Sequence, residues 1–305
     1  FPLVNYELYR HTIGSERLLN NHEENLFKVS SYFHTERNRN HRTNLKFIDT
    51  IDEFRWNLAT HFSSAEWLEA IDFSKFAIAG GCVLNALCQS LFLDKREKNV
   101  NLFYYAEDIM NFEKAVEIVV NNLRKMTSKA LKNEIEVEKM PGVSTYNVSL
   151  SCGVQLHFIC AFIGDSKNSL SHILYNFDLD ICQVAFIGDK IISTFPFLEA
   201  LATKSFIVYS LHAEVARHIC TRIEKYCKKG FHLLEPIGFD GDFNVLMAQE
   251  EIPIYYVEQQ QYIDDDGEIQ IATKEYHRIP ARSVDTFRLQ EKFIHMVRPE
   301  LLQYK

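Results

Sequence analysis

The chain has 305 residues, 47% of them hydrophobic and 24% charged, and a formal net charge of −8. That length supports one large domain or two smaller ones. The acidic balance argues against a general affinity for nucleic-acid backbone, though not against a local basic groove, and no apolar run reaches the ~18 residues of a membrane-spanning helix. The chain opens on Phe1 rather than Met, so an excised or processed chain is expected, and no charged-then-apolar signal segment opens it. Of the seven cysteines, none forms a zinc-type CxxC pair, and Cys88, Cys160 and Cys182 sit inside apolar runs. Buried, reduced thiols and an intracellular location, cytoplasmic or nuclear, are expected.

Residues up to about 70 read as helices, interrupted by a polar, basic loop, "HTERNRNHRTN". In "SSAEWLEAI", Ser63 and Glu66 have capping-box spacing, which predicts a short helix from Ser63. "FAIA" (76–79) reads as a buried strand, and "CVLNALCQSLFL" then places Val83, Leu84, Leu87 and Leu91 on a helical face. "NVNLFYY" returns to a strand, and "EDIMNFEKAVEIVVNNLRKM" is an amphipathic helix with acidic residues in its first turn. "EIEVEK", "YNVSLS" and "VQLHFICAF" have strand character, with a hairpin-like "SCG" link. "FDLDICQVAF" reads as one further strand, "KIIST" as another, and "FPFLEALAT" as a short helix. "HAEVARHICTRIEKYCKKGF" is helical and stops at Gly230. A hairpin is expected around "DDDG" (264–267) and a last helix over 283–302.

Strand, Gly80-Gly81, helix, and then a strand with two polar residues one apart is an order with a mechanism. Glycines let the backbone approach a triphosphate, and a helix N-terminus favours anions. Side chains at i and i+2 of a strand share a face. Two carboxylates so placed can hold divalent metal for attack on a phosphate.

This order resembles the nucleotidyltransferase superfamily, the polymerase-beta-like fold. It is similar to the head domain of bacterial-type tRNA nucleotidyltransferases and poly(A) polymerases. Gly80, Gly81 and Val83 match the GG-x-V-R-D opening, with Leu84 and Asn85 where Arg and Asp would stand. Asn99 and Asn101 occupy the two positions of the D-x-D metal strand, and Gln155 of "VQL" that of the third acid. "FDLDICQVAFIG" resembles R-D-F-T-I-N-A-L-A-Y-D-G, and "PFLEALATK" the P-F-G-G-L-E-D-L-K after it. A "GG-x-VLNAL" opening with an "FDLD-x-C" strand also resembles nucleotidyltransferase-like domains of eukaryotes and large viruses.

The resemblance implies an α+β protein with a nucleotidyltransferase-like mixed sheet and flanking helices. An N-terminal helical segment is expected over 1–62, the core over 63–205, and a helical region with a β-hairpin over 206–305. It implies transfer of a nucleoside monophosphate from an NTP to a hydroxyl acceptor, RNA or protein. It implies Mg²⁺ or Mn²⁺ wherever aspartates stand at 99 and 101, and nucleotide contacts from Gly80, Gly81, Cys82, Arg222 and Lys225. All three expected carboxylates are amides, however. Amides cannot neutralise a divalent cation, so the chain is expected to be inactive or strongly impaired. Two histories fit: a natural pseudoenzyme that binds protein or RNA, or isosteric replacement of two aspartates. Asp178 and Asp180, on one face if "FDLD" is a strand, are candidates for the missing acid; the alternative is that Asp178 only braces loop backbone. His157 reads either as a ligand or as a hydrogen-bonded core or surface histidine. The basic set that includes Lys228 and Lys229 reads as a phosphate contact or a solvated face. "DDDG" lacks EF-hand spacing and reads as an acidic turn.

Overall fold

The structure, a computed structural model, describes residues 2–13, 18–33, 45–89, 98–126, 135–140, 144–161, 169–211, 216–237, 239, 243, 254–263, 269–278 and 287–288. It divides into two compact units, one formed by 1–208 with 227–237, the other by 209–226 with 238–305.

In the first unit, β1 (Val4–Asn5) runs directly into α1 (Tyr6–Ile13). α2 (Asn21–Leu26) starts with a reciprocal capping box between Asn20 and Glu23. β2 (Phe27–Val29) follows. The segment read as helical thus also supplies two short strands, each held by pairing with a distant part of the chain. α3 (Ile51–Phe62) begins with a second box, Thr50 with Glu53, and buries Phe54, Leu58 and Phe62 at four-residue spacing.

The box expected at Ser63 and Glu66 does not form. Ser63 is a left-handed C-cap of α3 at φ 50°, and two 3-10 turns follow, Ser64–Glu66 and Leu68–Ala70. Trp67 explains this: its side chain is fully buried, and its indole N–H donates to the Phe62 carbonyl at 2.7 Å. The tight turn swings that ring back under α3.

β3 (Phe76–Ala79), buried throughout, leads into α4 (Gly81–Leu87) and then β4 (Asn99–Tyr104). α5 (Phe112–Met126) buries Phe112, Ala115, Val116, Val119, Val120 and Leu123, one stripe at helical spacing. β5 (Glu136–Lys139), β6 (Thr145–Ser149) and β7 (Gln155–Ile159) form an antiparallel meander. α6 (Leu170–Tyr175) is capped by Ser169. "FDLDICQVAF" is not one strand: Asp180–Cys182 form a 3-10 turn, and only β8 (Val184–Phe186) is extended. β9 (Ile191–Ser193) precedes α7 (Phe195–Thr203), whose N-cap is Thr194 and whose first turn holds Pro196.

Eight strands form one mixed sheet in the order β1-β9-β8-β3-β4-β7-β6-β5. Only the β4–β7 pair is parallel. The first face of this sheet is apolar. Val100, Leu102, Val148, Leu156, Phe158 and Phe186 are fully buried there. Phe76 meets Tyr104 and Phe158 edge to face at 5.4 and 5.3 Å, and Phe112 of α5 joins them. Each such side chain contributes roughly 1.5–3 kcal/mol. The second face is split. Over β3 and β8 it carries Ala77, Ala79 and Ala185, small enough for Leu170 and Leu174 of α6 to pack on them beside Phe103 and Phe177. A three-stranded sheet, β10 (Ser205–Ile207), β12 (His232–Pro236) and β2, completes the unit.

In the second unit, β11 (Ser210–Leu211) pairs with β15 (Phe287–Arg288). β13 (Ile254–Ile263) and β14 (Ile269–Arg278) make an antiparallel hairpin. The "DDDG" turn lies outside the described residues, as does the expected last helix except at 287–288, which are extended. α8 (Ala216–Lys228), the expected basic helix, belongs to this unit as far as Tyr226 and is followed by Gly230 at φ +99°. All seven cysteines are free thiols, six of them buried. Among the described residues no helix is long and apolar enough to cross a membrane.

Candidate functional site

β3 ends at Gly80, whose φ of +87° and ψ of −143° lie where only glycine is comfortable. Its N–H donates to the Val184 carbonyl at 3.0 Å, which ties the turn to β8. A Cβ on Gly80 would stand 3.7 Å from the Phe177 ring, an ordinary contact, so the backbone conformation rather than space demands glycine. Gly81 opens α4, a helix of seven residues whose Cys82, Val83, Leu84, Ala86 and Leu87 are all buried. Cys82 faces inward. Its thiol lies 3.9 Å from the Ala79 carbonyl and against the Asn101 backbone N–H, and burial pushes it up to about 12. It stays a neutral thiol at any ordinary pH.

The polar half of the second sheet face begins at β4. The parallel register sets Asn99 opposite Gln155 and Asn101 opposite His157. Directly opposed residues share a face, so the three positions that carry carboxylates in the resembled motif are neighbours here. All three are amides. Asn99 and Gln155 are exposed, and Asn101 is half-buried beneath them. β6 extends the rows with Ser149 and Asn147, and β5 with Glu136 and Glu138. The second row therefore reads Asn101, His157, Asn147, Glu138 across four strands. His157 is half-buried, and desolvation lowers its pKa from the ordinary histidine value, so it is predominantly neutral at pH 7.

Asp178 and Asp180 do not share a strand face, because Asp180 opens a 3-10 turn. Asp180 is 4% exposed. Its Oδ1 accepts from the backbone N–H of Ile181 at 2.7 Å and of Ile207 at 3.0 Å. Burial nevertheless pushes its carboxyl up to about 8. Its role is to join the turn to β10. Asp178 is half-buried. Among the described residues no three His, Cys, Asp or Glu side chains come close enough together to hold a metal ion. Arg222 and Lys225 belong to α8, in the second unit.

Lys229 is a residue whose placement local sequence did not foretell. It is 6% exposed, and its Nζ donates to Asn85 Oδ1 at 2.6 Å. It is therefore neither a solvated cation nor an open phosphate contact. Asn85 stands where the resembled opening has an aspartate, and here its amide oxygen accepts from the Lys229 ammonium.

No family model matches the chain, and no curated protein matches it. Among solved structures it is similar to a CCA-adding enzyme in complex with CTP, at 12% identity and a TM-score of 0.42 over 63% of this chain and 44% of that one. It is similar to the Thermotoga maritima CCA-adding enzyme complexed with tRNA, at 14% and 0.37, over 73% and 45%. It is also similar to a tRNA nucleotidyltransferase complexed with a primer tRNA and an incoming ATP analog, at 19% and 0.37, over 55% and 46%. The chain spans less than half the length of these proteins. The likeness is in the fold alone.

Proposed function

We propose that this chain is a nucleotidyltransferase-like protein that binds a nucleotide or an RNA end on the polar sheet face without metal and does not transfer the nucleotide. The observation that carries this reading is the trio of amides at 99, 101 and 155 on adjacent paired strands. An Mg²⁺ or Mn²⁺ pair needs anionic oxygens to offset its charge and to lower the pKa of an attacking hydroxyl. Asn99, Asn101 and Gln155 supply none, and the Asp180 carboxyl is buried and engaged by two backbone amides. The described residues do not fit a divalent metal. What they suit is neutral recognition. Asn and Gln offer a donor and an acceptor each, the pairing that reads base edges and sugar hydroxyls. A neutral His157 adds one donor and one acceptor. The Gly80-Gly81 turn is a proposed phosphate contact on the strength of the motif resemblance.

Calorimetry with ATP and CTP, in EDTA and in Mg²⁺, tests the reading together with an assay for nucleotide incorporation into RNA. The expected result is binding that ignores EDTA, and no incorporation. The double variant Asn99→Asp/Asn101→Asp should gain Mg²⁺-dependent NTP binding, as it would in a lineage that once catalysed the transfer. Mg²⁺-dependent incorporation by the chain as it stands would overturn the proposal.

A further inference from the structure

We propose that the free edge of β5, with the groove beside it, docks an extended segment of a basic partner protein as a ninth strand. β5 ends the large sheet, and among the described residues no strand pairs with its outer side. All four of its residues are exposed. Its backbone can therefore accept a further strand. On the first face of the sheet, beside β5, lies a groove of about 680 Å³ floored by Val116, Val120, Val137 and Tyr146. Its rim carries both signs, Glu113 and Glu117 against Lys114 and Arg124, so it selects for apolar surface rather than for charge. Lys139, which shares that face, is turned back onto Glu113 at 2.7 Å and lies 5.7 Å above the Tyr146 ring. It leaves the strand edge open.

Glu136 and Glu138 point the other way, onto the polar face, since they pair with Ser149 and Asn147. Their carboxylates decide the occupant. Antiparallel strands place opposed residues on the same face. A second copy of β5 could therefore meet the first centred on Val137, with Glu136 opposite Glu138 twice. Centred on Glu136, Glu138 or Lys139, it would set that residue against itself. Each register opposes like charges, which destabilises the pair. The edge thus disfavours an antiparallel copy of itself and, on a chain of net charge −8, favours a cationic strand. The fitting segment has lysine or arginine at alternate positions opposite Glu136 and Glu138. Apolar residues between them face the groove.

The probe is a fluorescent peptide of alternating lysine and valine, followed by anisotropy. It should bind the chain, and a glutamate–valine peptide should not. Glu136→Gln/Glu138→Gln should weaken binding at least about fivefold while leaving the far-UV spectrum unchanged. Of two peptides N-methylated on either the lysines or the valines, one should lose binding, because alternate N–H groups face the same edge. Separately, Glu138→Lys turns the like-charge register into two opposite-charge pairs and should dimerise in light scattering. Absence of peptide binding, binding indifferent to the glutamine pair or to both methylation patterns, or a Glu138→Lys chain that stays monomeric would each overturn the proposal.

Discussion

Asp180→Asn separates a bracing carboxyl from a metal-binding one. The free carboxyl titrates near 3.8, and burial moves it to about 8 in the folded chain. Between those values the folded chain keeps a proton that the unfolded chain gives up. Stability therefore falls as pH rises through this window, by about 1.4 kcal/mol per unit, and levels off above it. Integrated to pH 7, the penalty is about 4 kcal/mol. Asparagine keeps an oxygen in place for the Ile181 and Ile207 N–H groups and carries no titrating proton. Urea unfolding of parent and variant at pH 5, 6 and 7 should show the variant's advantage growing by about 1.4 kcal/mol at each step. Other carboxylates cancel in the difference. Asp180→Ala should instead lose stability relative to Asp180→Asn at every pH, by roughly 1–3 kcal/mol for each orphaned N–H. Parallel pH profiles for parent and Asp180→Asn would refute the reasoning, and so would a variant that loses NTP binding while remaining folded.

Gly80→Ala should cost about 1–3 kcal/mol in thermal unfolding, from its positive φ alone. Gly188→Ala should cost more, because at φ +92° its Cβ would also stand 2.9 Å from the Phe73 ring. If the two rank in reverse, the packing argument fails. Thr194→Val removes both the 2.7 Å bond to buried Gln183 Oε1 and the cap on the Phe197 N–H. A loss of about 2–3 kcal/mol in urea unfolding is expected. A loss below about 0.5 kcal/mol would show that neither bond matters.

The strands and turn that carry the candidate site were legible because their signals are local. "FAIA" followed by Gly80 announces a buried strand and a turn that only glycine adopts, and α5 shows its stripe at helical spacing. Asn99 and Asn101 share a face by alternation alone. Other features rest on tertiary contacts. "FDLD" alternates as a strand would, but the Ile207 N–H that holds Asp180 in a turn comes from 27 residues further on. Ser63 and Glu66 have the spacing of a capping box, yet the buried Trp67 ring decides the geometry there. Lys229 reads as one more cation in "KYCKKGF" until the fold places Asn85, 144 residues earlier, beside its ammonium. The alignment of Glu138 with Asn147, His157 and Asn101 depends on the register of four strands, which local spacing does not encode.

The pairing of β1 with β9 has a kinetic side. It joins Val4 to Ser193, so its ends meet only when nearly two hundred intervening residues have been gathered in. The pairs β5–β6 and β6–β7, at the opposite end of the sheet, close over far shorter spans. Loop-closure entropy therefore orders assembly from the meander outward, with the β1 edge joining last. A two-residue strand contributes few hydrogen bonds to offset that late closure. By the same token it opens most readily, so one end of the sheet exchanges its amide hydrogens well before the centre does.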